Sequence, residues 1–239
     1  MVQRIKTLTK YLNEKLIINQ RFDEKLIINK SYKDAQYTCT PKTFNELRRL
    51  IEDRYNKLGP GTKDKSIDFN DVDVSNIDSF FNIGSIYYIG IFEDTKFKYI
   101  DISDWDVSKV KNVSQMFCYC EQLKYIGDIS NWDGSNVESM NSMFYKCSKL
   151  KSIGDISNWN ISNVKNMNQM FCHCKQLTSV GDLSNWDVSN VNYMIAMFRD
   201  CEQLKSVGDL SKWKVSDLRY IFNMFKNSGI TNIPKWYKK

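Results

Sequence analysis

Histidine is nearly absent from the sequence of 239 residues, which holds only His173. A catalytic triad needs a nucleophile, a base and an orienting group in contact. The lone histidine occupies a repeat position that other units fill with Tyr, Lys or Asp, so we expect an exposed side chain with no catalytic role. We therefore predict that the protein is not an enzyme.

Long apolar runs are also missing. No segment approaches the roughly 20 apolar residues that a membrane-spanning helix needs. Residues 1–19 are basic and amphipathic, but they lack the uninterrupted apolar region and the small-residue cleavage site of a secretory signal. These absences predict no membrane span and a cytoplasmic or intracellular location, with the cell surface as the alternative.

Charge of one sign is not concentrated along most of the chain, although the formal net charge is +6 and the pI is about 8.8. Lysines are interspersed with acidic residues, and only the tail with Lys235, Lys238 and Lys239 is clearly basic. Such a short basic tail is usually solvated. Nucleic acid is therefore not favoured as a partner.

What the sequence does contain is a period of 27 residues, marked by tryptophan. The tryptophans are Trp105, Trp132, Trp159, Trp186 and Trp213. Other columns start at Met116, Phe117, Cys120, Leu123 and Gly127-Asp128 and repeat at the same interval. A period of this length indicates stacked units, none of which can bury its apolar face alone. We predict that successive coils lie in register, with like side chains in continuous internal columns.

Each unit divides into two halves. Apolar residues from Val110 to Leu123 are mostly three or four apart, which predicts a short helix, and Ser108 precedes it as a cap. The segment Leu123–Ile129 is short and rich in β-branched residues, which predicts a strand that pairs with the neighbouring coils in a parallel sheet. The predicted fold is an α/β repeat solenoid with a short parallel strand and a short helix in each 27-residue coil.

The chain is expected to have three regions: a leader and cap at 1–66, the repeat array at 67–229, and a C-terminal cap with the basic tail at 230–239. Thr43 and Glu46 form a capping box that begins a helix at about 42–58, and Gly59-Pro60 ends it. This N-terminal helical cap would cover the open end of the stack.

Both ends of the array are irregular. The residue pattern of 68–80 returns at 101–113, so the interval is 33 residues and an insertion lies between the two copies. The leader carries a duplication at 14–19 and 24–29, either a partner-binding arm or a hairpin or helix packed on the first coil. Near the C-terminus, Ile230, Ile233 and Trp236 stand 26 residues after Leu204, Val207 and Leu210 and are predicted to close the array.

The unit Trp-Asp-Val-Ser-Asn-Val-x-x-Met-x-x-Met-Phe-x-x-Cys-x-x-Leu resembles the BspA-like leucine-rich repeats, in particular the DUF285 group of mycoplasma surface lipoproteins and gut bacteria. The resemblance covers residues 68 to about 233. It implies a leucine-rich-repeat solenoid with binding or adhesion roles and no established catalytic site. The sequence differs from those surface proteins in that it shows no signal, lipobox or anchor.

Two groups of side chains raise the question of a metal. Cys118-x-Cys120 and Cys172-His173-Cys174 contain zinc-ligand types, but the cysteine column continues through Cys147 and Cys201 and predicts a buried row of thiols. The aspartate column that includes Asp128 fits either calcium or hydrogen bonds within the turn. The turn is favoured because the glycine-rich signature of calcium-binding β-rolls is missing. No metal and no cofactor are predicted.

Positions that depart from the repeat indicate where a partner binds. Tyr193, Ile195, Tyr220 and Phe222 replace the Asn and Ser of earlier units, which predicts either a contact surface or burial under the tail. The strand face adds a mildly basic surface with Lys124, Tyr125, Lys151 and Lys205.

The leading hypothesis is a non-enzymatic protein-protein recognition scaffold, such as a phage or bacterial adaptor, an assembly protein or a protein that binds host machinery. The alternative is a fragment of a cell-surface adhesin. A metal-dependent enzyme is the least favoured hypothesis.

Overall fold

The computed structural model describes residues 39–82, 89–215 and 220–237. The chain divides into two compact units, Met1–Cys39 and Thr40–Lys239, and all of these residues except Cys39 belong to the second. The duplicated leader segments, Lys238 and Lys239 therefore lie outside the described residues.

The N-terminal helix α1 spans Phe44–Leu58 and buries Leu47 and Ile51. Thr43 caps the start of this helix as predicted, since its hydroxyl accepts the amide of Glu46 at 3.2 Å. The Glu46 carboxylate in turn accepts the amide of Lys42 at 2.8 Å. The helix ends at Gly59, whose φ of 75° lies in the region that favours glycine. No helix among the described residues is long and apolar enough to cross a membrane.

Successive units meet through short parallel contacts. Strand β1, Ile67–Asp68, pairs in parallel with β4, Ile100–Asp101, and a parallel bridge joins Tyr99 to Tyr125. A second ladder of single parallel bridges connects Ser79, Asn112, Ser139, Asn166 and Tyr193. Two short 3-10 helices, Leu183–Asn185 and Leu210–Lys212, lie further along the chain. We call the contacts through Tyr99 and Tyr125 the first ladder and those from Ser79 to Tyr193 the second ladder.

The structure has turns where the residue spacing predicts a short helix in each unit, and α1 is the only α-helix among the described residues. Gln115 and Tyr119 have φ values of 55° and 60°, which interrupt a helix. Their N–H groups point to the next coil, so that the amide of Tyr119 donates to the carbonyl of Tyr145 at 2.8 Å. The same conformation recurs at Ser142, Lys146, Gln169, His173, Ala196, Asp200, Asn223 and Asn227.

Like aromatic side chains lie on one another inside the array. The phenylalanine column runs through Phe92, Phe117, Phe144, Phe171, Phe198 and Phe225, with ring centroids 5.2 to 6.0 Å apart. The Trp132 and Trp159 indoles are stacked, with ring centroids 6.4 Å apart and nearly parallel planes. The Trp159 indole N–H donates to the Ile129 carbonyl of the preceding unit at 3.0 Å. Each buried indole therefore adds a hydrogen bond to its apolar contacts.

The insertion in the first unit includes an antiparallel pair. Strand β2, Phe81–Asn82, pairs with β3, Ile89–Gly90, on either side of residues 83–88. After β3 the chain returns to the stack, because Phe92 lies on Phe117 with ring centroids 5.2 Å apart. The insertion therefore does not disturb the phenylalanine column.

The C-terminal end differs from the prediction at Trp236. Counting from Leu210 places Trp236 in the column of Ile129, Leu183 and Leu210, but its ring stacks on Trp213 with centroids 6.4 Å apart. The indole N–H of Trp236 donates to the Leu210 carbonyl at 2.7 Å. Trp213 makes the equivalent hydrogen bond to the Leu183 carbonyl. The segment from Ile230 to Trp236 is shorter than its counterparts, so the indole reaches the tryptophan column early.

Helix α1 packs on the first unit through two arginines. Arg48 donates from Nη1 to the carbonyls of Gly90, Ile91 and Glu93 at 3.1, 2.9 and 3.2 Å. Arg54 makes a two-point ion pair with Asp71 at 2.6 and 3.2 Å.

Candidate binding surfaces

The second ladder changes character along its length. In the earlier units its side chains bond to the backbone or to each other: the Asn112 side-chain oxygen accepts the Ser114 amide at 2.9 Å, and the Ser114 and Ser139 hydroxyls are 2.7 Å apart. In the last two units these positions hold apolar or aromatic side chains. We call Tyr193, Ile195, Tyr220 and Phe222 the aromatic patch.

The aromatic patch is accessible in the structure. Phe222 is 55% exposed and Tyr193 is 38% exposed. The rings of Tyr193 and Tyr220 are 4.8 Å apart and tilted by 57°, so they support each other. The amide of Ile195 is fixed by the Asn168 side-chain oxygen at 2.8 Å. These contacts place an exposed apolar surface on a hydrogen-bonded ladder.

The position of the C-terminal tail distinguishes the two alternatives for this patch, a contact surface or burial under the tail. Trp236 stacks on Trp213, and the Tyr237 ring meets Phe225 edge-on at 5.1 Å. These contacts place the described tail residues on the tryptophan and phenylalanine columns. They leave Tyr193 and Phe222 exposed.

The first ladder carries the predicted basic surface. Lys124, Tyr125, Lys151 and Lys205 are all exposed. The Lys124 amide donates to the Lys98 carbonyl at 2.8 Å, so Lys98 belongs to the same surface. Sequence reasoning missed Lys98 because the irregular first unit places it 26 residues before Lys124 rather than at the full period. We call Lys98, Lys124, Lys151 and Lys205 the lysine row.

The aspartate column forms hydrogen-bonded turns. Asp128 accepts the Ser130 amide at 3.0 Å, and Asp155 accepts the Ser157 amide at 2.9 Å. Hydrogen bonds from Ser184 hold the pKa of Asp182 below its ordinary value. Gly154 has a φ of 89°, and a Cβ there would collide with the Asp128 carboxylate. The Gly-Asp pair is therefore explained by packing between successive turns.

The cysteine column is a row of buried thiols. Cys147 donates from Sγ to the Phe117 carbonyl at 3.0 Å, and Cys174 donates to the Phe144 carbonyl at the same distance. Burial raises the pKa of Cys120 in this column to about 12. It also raises the pKa of Cys172, which lies outside the column, to about 11, so both thiols stay protonated at neutral pH. In the part of the chain that the structure describes, no three His, Cys, Asp or Glu side chains are grouped to hold a metal.

His173 differs from the exposed side chain that its column predicts. It is half-buried, its Nδ1 lies 3.2 Å from Asp200 Oδ2, and the Tyr145 ring meets it edge-on. Burial lowers the pKa of His173, against the opposing charge of Asp200. Asp200 also accepts from Arg199 and Asn227. Among the hydrogen bonds of the described residues, none joins His173 to a hydroxyl or thiol nucleophile.

A family of known sequences matches the chain. The sequence model of a family described as "Mycoplasma protein of unknown function, DUF285" matches residues 86–181 and again residues 154–237. No curated protein matches the chain. No solved structure matches it. The two family matches overlap and together span most of the repeat array.

Proposed function

Since the chain belongs to the DUF285 family of mycoplasma proteins of unknown function, we propose from its own surfaces that it is a non-enzymatic scaffold for protein-protein recognition. We propose further that the array is a leucine-rich-repeat solenoid, in which stacking gives rigidity and the outward side chains give specificity. The aromatic patch is the observation that carries this proposal.

The composition of the patch favours a protein partner. Tyrosine and phenylalanine present large, rigid surfaces, and aromatic clusters are typical of the residues that dominate interface energies. The hydroxyls of Tyr193 and Tyr220 add hydrogen-bonding groups to an apolar surface. A partner with apolar side chains surrounded by polar groups has the complementary chemistry.

The order of the patch also favours recognition. Tyr193 and Tyr220 support each other, and Asn168 holds the neighbouring backbone at Ile195. Side chains that are ordered before binding lose less conformational entropy when the partner arrives.

Affinity isolation with a matched control tests the proposal. The bait is the full chain, the double variant Tyr193→Ser/Phe222→Ser removes the patch, and Tyr119→Ser removes an aromatic side chain that is 40% exposed outside it. We expect at least one protein from the source cells to bind the wild type and the control, and to fall at least about tenfold with the patch variant. Quantitative mass spectrometry measures the loss, and thermal unfolding checks that both variants are folded.

Two results would contradict the proposal. Partners that bind all three baits alike would remove the patch from the proposal. Turnover of a small molecule by the pure chain, with no partner that depends on the patch, would replace the scaffold with an enzyme.

A further inference from the structure

We propose that the lysine row binds an extended acidic segment of a partner protein, through ammonium-carboxylate pairs made across successive coils. The inference rests on the proposed function only in taking the partner to be a protein. It concerns the first ladder, whereas the aromatic patch lies on the second, so the two surfaces are tested by separate substitutions.

The lysine row is set by the stacking of the coils. The Lys124 amide donates to the Lys98 carbonyl at 2.8 Å, and the Thr178 amide donates to the Lys151 carbonyl at 3.1 Å, so these residues lie on adjacent coils. Adjacent strands in a sheet are about 5 Å apart. The row therefore extends over roughly 20 Å, with Thr178 in the one position that holds no lysine.

The lysines of the row make no ion pair with a carboxylate of the described residues. Elsewhere Lys165 pairs with Glu138 at 2.7 Å, and Lys175 pairs with Glu202 at 3.1 Å. Within the described residues, no carboxylate lies within ion-pair distance of any member of the row. Its contacts are of another kind: Lys124 lies 5.6 Å from the centre of the Tyr99 ring, and Lys205 donates to the Glu202 carbonyl.

Like charges held one coil apart repel one another, and a bound anion relieves that repulsion. A second column of hydroxyls follows the lysines by one residue along the same coils. Its members are Tyr99, Tyr125, Ser152, Ser179 and Ser206. The surface thus offers positive charge beside hydrogen-bonding hydroxyls, which suits a ligand rich in anionic and carbonyl oxygens.

The width of the row favours a polypeptide over a nucleic acid. The row is a single residue wide, and the aspartate column that includes Asp128 follows on the same coils, where it would repel a broad polyanion such as a duplex. An extended peptide is narrow, and its backbone carbonyls accept hydrogen bonds. Its same-face side chains recur about every 6.6 Å, within reach of flexible lysine stems on rungs about 5 Å apart.

The row also contains lysine without arginine. Arginine is the residue that binds phosphate through a planar, two-point fork, whereas lysine acts as a mobile point charge. A line of point charges matches single carboxylates that are presented at intervals along an extended chain. The partner segment that fits is therefore one in which Asp or Glu alternates with small polar residues.

Fluorescence anisotropy with the full chain tests this inference. The probe is a labelled peptide of alternating glutamate and serine, and the same peptide with glutamine in place of glutamate is the neutral control. The row variant changes Lys98, Lys124, Lys151 and Lys205 to Gln. The charge-matched control changes the same number of exposed lysines elsewhere, Lys109, Lys111, Lys212 and Lys214. Thermal unfolding of both variants shows that they are folded.

We expect the glutamate peptide to bind the wild type and the neutral peptide not to bind. The row variant should weaken binding at least about tenfold, since several exposed ion pairs are lost together, and the control variant should weaken it about threefold or less. The double variant of the aromatic patch should leave peptide binding unchanged. Loss of peptide binding therefore reports on the lysine row even if the proposed role of the patch fails.

Three results would overturn the inference. The first is equal weakening by the row and control variants, which would indicate unspecific attraction to net charge. The second is a single-stranded oligothymidylate of equal length that binds more tightly than the peptide and depends on the row, which would assign the row to nucleic acid. The third is no binding of the glutamate peptide to the wild type at low salt.

Discussion

The middle of the array and its N-terminal end satisfy the same backbone groups by different means. In the middle, the carbonyl of Met143 accepts the amide of Phe117 from the preceding coil at 2.8 Å. At the N-terminal end, the matching carbonyl of Ile91 accepts instead from the Arg48 guanidinium at 2.9 Å. Inside the array the repeat supplies its own partners, whereas at the end the donors are arginines of helix α1, which lies outside the repeat.

This difference follows from the orientation of the peptide groups. The amides of Gln115, Phe117 and Tyr119 donate to carbonyls of the following coil, whereas those of Met116 and Cys118 bond within their own turn. The carbonyl of Ile91, at the matching position of the first unit, has no preceding coil to supply its donor, and a buried carbonyl without a partner costs about 1–3 kcal/mol. A guanidinium, with several N–H groups in one plane, can meet more than one such carbonyl.

The largest expected effect is in the middle of the array. Trp159→Ala removes a buried indole and its hydrogen bond to Ile129, and should lower the free energy of unfolding by about 3–5 kcal/mol. Chemical denaturation measures the change, with Tyr125→Ala as the exposed aromatic control. A loss below about 1 kcal/mol would mean that the tryptophan column is not the core of the stack.

At the N-terminal end, Arg48→Leu keeps the apolar contacts of helix α1 and removes the donor. The carbonyls of Gly90, Ile91 and Glu93 lose a charged partner, so we expect a loss of about 2 kcal/mol. Arg49→Leu, on the exposed side of the same helix, is the control and should cost less than about 0.5 kcal/mol. Equal effects would show that the arginine does not replace a coil at this end.

A smaller effect is expected where two successive turns touch. Gly181 has a φ of 87°, and a Cβ there would collide with the Asp155 carboxylate. Gly181→Ala should therefore lower the free energy of unfolding by about 1–2 kcal/mol, measured in urea. No loss would show that the turns separate without cost, and the account of the Gly-Asp column would be wrong.

The smallest effect is expected at Gly134, and it has the opposite sign. Other units have Val107 or Val188 at this position, and here a small apolar cavity lies between Trp132 and Trp159. An added Cβ would meet its nearest atom, the Asn160 carbonyl oxygen, at 3.4 Å. Gly134→Ala should raise the free energy of unfolding by about 0.5 kcal/mol. A loss like that at Gly181 would contradict the distinction between the two glycines.

Sequence reasoning located the repeating columns, but it predicted a short helix in each unit where the structure has turns. The 27-residue period located the tryptophan, phenylalanine and cysteine columns, and Thr43 with Glu46 located α1. The same spacing of three and four residues fits both a helix and a series of turns, so it could not exclude the helix. Residues such as Gln115 and Tyr119 give no signal of a left-handed conformation, since they are not glycines.

The candidate surfaces were predictable only in part. The aromatic patch departs from its columns, so Tyr193 and Phe222 could be found by comparing units. Lys98 was hidden by the shifted first unit, and the contact of His173 with Asp200 depends on a neighbouring coil that the sequence alone does not place. Arg48 has no counterpart in any unit, and no repeat pattern could assign it a role.

The repetition of the same hydrogen bonds between coils has a consequence for how such a gene can change. The bond from Phe117 to Met143 recurs from Phe144 to Met170, from Phe171 to Met197 and from Phe198 to Met224, so these junctions use the same donor and acceptor positions. An in-frame duplication or deletion of one whole unit therefore recreates an existing junction and leaves both ends untouched. The array can thus lengthen or shorten by whole units and keep the same junctions.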